Sequence, residues 1–231
     1  PRAMSAAGKG ASDCSDKQAR ASVLWSLQSE APFPAADIAL GIKLGGYRFD
    51  KYKSPAAADE DQPDSRFVVF SSASADSREH WENHLAAVAA GVYFARDLIS
   101  EPANVIYPES FVARTREAFR GLDGTRIEAL GVKEMERLGM GVLLGVGMGS
   151  ERPPRLLVVE YRGADDARAP VVFVGKGVTF DSGGISLKKG TGMWKMKYDM
   201  SGAAAATGAV LALAARRAPV NAVAIAALVE N

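Results

Sequence analysis

Val174-Gly-Lys-Gly-Val-Thr-Phe-Asp-Ser-Gly-Gly-Ile-Ser-Leu-Lys-Lys-Gly-Thr-Gly-Met-Trp-Lys-Met-Lys-Tyr-Asp-Met200 follows an apolar strand at 170–174 and precedes an alanine-rich helix at 200–217. A second apolar strand, 220–229, completes a βαβ unit, which should be right-handed. The stretch gathers Lys176, Asp181, Lys188 and Asp199 in one loop loosened by Gly175, Gly177, Gly183 and Gly184. Two lysines and two carboxylates brought this close are costly unless something holds their charges, and a divalent metal centre would hold them. In open α/β sheets, sites form outside the carboxyl ends of the strands, and the heads of Lys176, Asp181 and Asp199 are expected at that rim.

Working outward, the pattern alternates strands and helices. A helix is expected over 16–27 and another over 35–47, ending near Gly45-Gly46. A polar loop covers 54–64, and 66–71 reads as a short buried strand. From Asp76 to about Ile99 the pattern is helical, with Leu85, Val88, Ala89, Val92, Tyr93 and Ala95 as the apolar stripe, and Pro102 ends it. A helix is expected from Pro108 to about Phe119 and a second over 132–138, with strands at 125–130, 142–147 and 155–161. The fold class is α/β: part of a smaller N-terminal α/β domain (1–75), an interdomain helix (76–99), and the first part of a layered α/β domain with a mixed, mostly parallel sheet (100–231).

Composition narrows the partners. The 231 residues are 48% hydrophobic and 24% charged, ordinary for a globular protein able to bury a sizeable core. With 28 basic and 27 acidic residues the net charge is +1, which offers no attraction to nucleic acid or an anionic membrane. Cys14 is the only cysteine, so neither an intrachain disulfide nor a cysteine-based zinc cluster can form. No apolar run is long enough to span a bilayer, and the first residues lack the layout of a secretory signal; a cytoplasmic location is the default. The chain opens on Pro1 and closes on a strand, and it reads as a piece of a longer polypeptide.

The chemistry of the loop follows from its residue types. Carboxylate oxygens are suitable ligands for zinc, manganese or magnesium. Lysine is a rare ligand, because its amine must lose a proton first, and a nearby dication drives that loss. A paired-metal site acidifies a bridging water and polarises a carbonyl, while a second, protonated lysine can stabilise a developing oxyanion.

The run VGKGVTFDSGGISLK followed by MKYDMSGAAA closely resembles the leucyl (cytosol) aminopeptidase family. Phe94-Ala-Arg-Asp-Leu-Ile-Ser-Glu-Pro-Ala-Asn-Val, Tyr47-Arg-Phe-Asp-Lys-Tyr and Ala227-Leu-Val-Glu-Asn are similar to that family too, so the resemblance covers the chain from about residue 35 onward. It implies two divalent ions per subunit, manganese or zinc with magnesium as a third option. Lys176 and Asp199 resemble ligands of the more tightly held ion, and Asp181 the carboxylate that bridges both. Lys188 resembles the catalytic lysine, and Met196 a residue lining the pocket for the first substrate side chain. The family's members are homohexamers that remove N-terminal residues, leucine among them, from peptides, using a metal-activated water. Two departures stand out. Lys189 occupies a position where many relatives have proline. The family's second motif, Asn-Thr-Asp-Ala-Glu-Gly-Arg, with two more ligands and the catalytic arginine, is absent from these residues.

Plainer readings exist for each feature. Asp199 alone reads as a helix N-cap, Asp181 as a turn residue, and either lysine as solvated. His80-Trp-Glu-Asn-His84 places two histidines four apart, but its glutamate is misplaced for a zinc-protease helix, and a solvated helix face is the better reading. Gly145-Val-Gly-Met-Gly-Ser lacks the full phosphate-loop spacing and reads as a tight turn between strands. Met193, Met196 and Met200 are of a type that most often fills cores. Two rivals to a peptidase remain: a phosphate- or nucleotide-binding α/β module, and a non-catalytic scaffold subunit of the same family.

Overall fold

The computed structural model describes residues 34–54, 74–165 and 168–231. The helix expected at 16–27 and the strand at 66–71 lie outside the described residues. The chain divides into two compact units, Pro1–Ala89 and Ala90–Asn231. In the first, α1 (Pro34–Gly45) buries Ala35, Ala36 and Ile38. A helical run then begins with α2 (Ser74–His80), passes through a π-helical turn at Trp81–Leu85 and continues as α3 (Ala86–Ser100), whose residues from Ala90 on belong to the second unit. The wide turn is closed by the Ala86 N–H bonding back to the Trp81 carbonyl, five residues earlier.

The second unit is built on four strands: β1 (Thr125–Leu130), β2 (Arg155–Arg162), β3 (Val171–Phe180) and β4 (Asn221–Glu230), in spatial order β1-β2-β4-β3. β1 pairs antiparallel with β2, and β2 antiparallel with β4, while β3 and β4 run parallel. The sheet is therefore mixed as expected, but not mostly parallel: β3 and β4, joined by α7 (Ser201–Ala215), form its one parallel pair, while β2 lies between β1 and β4 and runs opposite to both. α4 (Pro108–Ala118), α5 (Val132–Arg137) and α6 (Gly141–Val146) precede α7.

Side-chain alternation assigns one sheet face to the core. Along β4, Ala222, Ala224, Ala226 and Leu228 are buried, whereas Val223, Ile225 and Ala227 are only half-buried. The buried face joins Leu157, Val159 and Tyr161 of β2 to Leu98, Phe111, Val112, Ala203, Ala204 and Val210 from the helices. Small residues let these layers approach. A methyl on Gly91 of α3 would stand 2.4 Å from the Gly208 carbonyl of α7, and one on Gly208 would stand 2.5 Å from the Gly91 carbonyl. Beyond α7, the Tyr161 hydroxyl donates to the Ala218 carbonyl (2.9 Å), giving a buried phenol its partner.

Two expectations are corrected. The apolar run at 142–147 forms helix α6 rather than a strand. Helical spacing turns Leu143, Leu144 and Gly147 inward together, whereas a strand would have put Leu143 and Leu144 on opposite faces; Val142 is left 87% exposed. The glycines of 145–149 accordingly close a short helix and lead into β2, and they do not link two strands. The strand expected to stop at Val174 continues to Phe180, so Lys176 lies within β3 rather than beyond it. Gly175 and Gly177 look like loop residues but serve close packing. A methyl on Gly175 would sit 2.4 Å from the Gly202 carbonyl and 2.5 Å from the Ala203 Cα; one on Gly177 would meet the Ala227 carbonyl at 2.6 Å.

Candidate metal centre

Lys176 owes its direction to the two-residue period of β3. Phe173, Gly175, Gly177 and Thr179 turn toward the core face, so Val172, Val174 and Lys176 turn outward. The chain then leaves β3, makes the glycine-rich loop and enters a 3₁₀ turn at Met193–Tyr198, which delivers Asp199 just ahead of α7. There the Lys176 ammonium donates to both carboxylate oxygens of Asp199, at 2.6 Å each. Asp199 is therefore no N-cap: Met200 holds that position, with no side-chain capping bond, and the carboxylate is turned to the lysine. The lysine is 61% exposed, and a pair this open contributes at most about 1 kcal/mol. That is too little to be what holds β3 against α7.

Asp181 is the first residue after β3, and its carboxylate is surrounded by donors. Oδ1 accepts the Gly183 N–H (2.9 Å) and the side-chain amide of Asn231 (2.9 Å), and Oδ2 accepts the Lys188 ammonium. The Lys188 ammonium holds the Asp181 carboxyl below the usual carboxylate range; partial burial opposes this, and the Asn231 amide and Gly183 N–H reinforce it. The loop folds back because Gly183 and Gly184 take left-handed φ angles of 94° and 60°. The return is fixed by the Lys188 N–H bonding to the Ser182 carbonyl (2.8 Å).

The four charged residues that the sequence points to thus form two ion pairs, Lys176 with Asp199 and Lys188 with Asp181. Met196 is half-buried in the 3₁₀ turn, and its carbonyl accepts the Asp199 N–H at 3.2 Å. Met200 is fully buried and Trp194 is 60% exposed, set edge-on to Tyr198. His80 and His84 face one another at 5.0 Å between ring centres. Among the described residues, no three His, Cys, Asp or Glu side chains are grouped to hold a metal ion.

Do Lys176, Asp181 and Asp199 suit a divalent ion? Groups that share an ion must converge to within about 3 Å of one another, given ligand distances near 2.1 Å. The Lys176 nitrogen and both Asp199 oxygens already do so. The proton the lysine would have to shed is the one it now shares with that carboxylate. Asp181 presents a carboxylate already directed at a cation. The donor set fits oxygen-preferring dications, and three protein groups are fewer than two ions require.

Asn231 is not among the residues that the sequence points to. Its signal is topological: β3 and β4 are parallel, so the residue ending β4 arrives beside the residue ending β3.

Several known proteins are similar to this chain. The catalytic-domain model of the cytosol aminopeptidase family matches residues 93–231. A probable cytosol aminopeptidase of Caulobacter vibrioides is 48% identical over 200 residues, covering 85% of this chain and 40% of that protein. One of Brucella anthropi is 49% identical over 199 residues, with the same coverage. The chain thus spans about two fifths of the length of these relatives. Among solved structures, the bottromycin maturation enzyme BotP in complex with Mn superposes with a TM-score of 0.80 at 31% identity, covering 99% of this chain and 47% of that one. Cytosol aminopeptidase from Coxiella burnetii gives 0.76 at 25% identity, covering 97% and 45%. No helix among the described residues is long and apolar enough to cross a membrane. With the family's catalytic-domain pattern running through β3, the glycine-rich loop, α7 and β4, this chain belongs to the cytosol aminopeptidase family.

Proposed function

We propose that the chain forms part of the active centre of a metal-dependent aminopeptidase that releases N-terminal residues, leucine among them, from peptides. The observation that carries this reading is the convergence of Lys176 and Asp199, from segments 23 residues apart, on one point, with an oriented Asp181 following the strand that bears Lys176. In this reading Lys176 and Asp199 would hold a divalent ion, and Asp181 would serve both that ion and a second one. Manganese is favoured because BotP, a structural neighbour, forms a complex with Mn, and zinc or magnesium are the alternatives. When bound, the ions supply the nucleophile and the Lewis acidity. Lys188 would donate to the carbonyl oxygen as negative charge develops there. Met196 lines the pocket for the first side chain. The rest of the reading comes from the family: a homohexamer in the cytoplasm, with residues 1–75 as the remnant of an N-terminal domain, 76–99 as an interdomain helix and 100–231 as the first part of the catalytic domain.

Metal content tests the proposal. After equilibration with Mn²⁺ and gel filtration, the wild-type chain should retain the ion and Asp181→Ala should lose most of it, read by elemental analysis. Equal retention in both would remove Asp181 from the site. Lys188→Ala should keep the metal and slow peptide turnover by about 10²-fold or more, the usual cost of losing an oxyanion donor. A scaffold subunit without activity is the second reading. Metal retention without any peptide turnover would favour it. Stabilisation by nucleotide, with no metal uptake, would favour a phosphate-binding module instead.

A further inference from the structure

We propose that Asn231 is a positioning residue whose side-chain amide fixes the orientation of the Asp181 carboxylate. Its relevance to metal binding rests on the reading of Asp181 as a ligand. The backbone prepares the arrangement. After the irregularity between Val178 and Phe180, the parallel pairing of β3 with β4 is carried one step further: the Asn231 N–H donates to the Phe180 carbonyl (3.0 Å), and the Ser182 N–H donates to the Asn231 carbonyl (2.7 Å). Asn231 is thereby tied on both sides of Asp181, and its side chain emerges level with the carboxylate. Its Nδ2 then donates to Asp181 Oδ1 at 2.9 Å, across 50 residues of sequence.

Together with the Gly183 N–H, this bond gives Oδ1 two donors, as many as its lone pairs accept, and leaves Oδ2 turned toward Lys188. Residue type matters here. Aspartate at 231 would keep the shape and replace a donor with an acceptor facing a carboxylate. The neighbour of Asn231 is matched to it as well. A methyl on Gly184 would stand 2.8 Å from Asn231 Oδ1, so only glycine leaves the amide its place. Partners that orient a ligand from behind are worth about 10- to 100-fold in metal affinity.

The test has two parts. In the metal-free chain, three-bond couplings to the Asp181 side-chain carbon report its χ1 population. The wild type should show one rotamer, and both Asn231→Ala and Asn231→Asp should show averaging. Asn231→Asp is the safeguard, because it preserves shape and packing: a space-filling role would leave its couplings at wild-type values. A single unchanged rotamer in either folded variant overturns the proposal. In the second part, Mn²⁺ affinity by calorimetry should fall about 10- to 100-fold in Asn231→Ala. It should fall no further when that change is added to Asp181→Asn. An unchanged affinity beside a wild type that binds would remove Asn231 from the site's function. A wild type that binds no Mn²⁺, with χ1 averaging in the variants, would sink the metal reading and leave the hold of Asn231 on Asp181 standing.

Discussion

The two halves of the segment 171–199 use the same amino acid for opposite purposes. In β3, Gly175 and Gly177 have ordinary backbone angles, and their missing side chains let α7 and β4 come close. In the loop, Gly183, Gly184 and Gly192 adopt left-handed angles that other residues resist. The strand is held by contact between backbones, and the loop by hydrogen bonds converging on one carboxylate. The first half therefore tolerates no added volume, and the second tolerates no change of charge or of backbone angle.

The largest expected effect tests the strand. Gly175→Ala forces a methyl onto the backbone of Gly202 and Ala203, neither of which can rotate away, and should cost about 3 kcal/mol in denaturant unfolding. A loss below about 1 kcal/mol would show that α7 can shift, and the contrast with the loop would weaken. Gly183→Ala comes next, at about 2 kcal/mol, combining a left-handed angle with a carbonyl of Ser186 only 2.4 Å from the new methyl.

The loop's dependence on charge is tested by pH. The Asp181 carboxyl is held below its ordinary range, chiefly by Lys188. Its contribution is therefore present above the unfolded-state value and is lost as pH falls through the folded-state value. Urea unfolding of metal-free protein should show Asp181→Asn less stable by about 1 kcal/mol near neutrality, with the two curves converging in acid. Parallel curves would mean that the carboxylate's charge does not hold the loop. The smallest effects separate angle from volume. Gly192, at φ 80° with open space around it, should cost about 1 kcal/mol when changed to alanine, from the angle alone. Gly190→Ala, with open space and no left-handed angle, should stay within about 0.5 kcal/mol of wild type.

Residues with a single structural role are legible in the sequence. Pro102 marks a helix end, and the β-branched apolar run of 155–161 gives β2 within a residue. Residues with two roles are not. Gly175 and Gly177 read as loop formers, because close approach to a helix leaves no trace in the neighbouring residues. The six residues of 142–147 are too few for strand and helix periods to differ. A mostly parallel sheet follows from counting alternating elements, yet direction depends on which strands become neighbours, and β2 lies between β1 and β4.

By itself, the order of residues determined that Lys176, Asp181, Lys188 and Asp199 lie along one glycine-rich stretch that runs from a strand to a helix, since proximity along a short chain is enforced by its covalent length. Only the tertiary structure decided the pairing, Lys176 with Asp199 and Lys188 with Asp181, because that depends on where β3 ends and on how the loop's left-handed glycines turn it back. It alone brought Asn231 to Asp181, because a parallel pairing joins residues 50 apart through a register that local sequence does not encode.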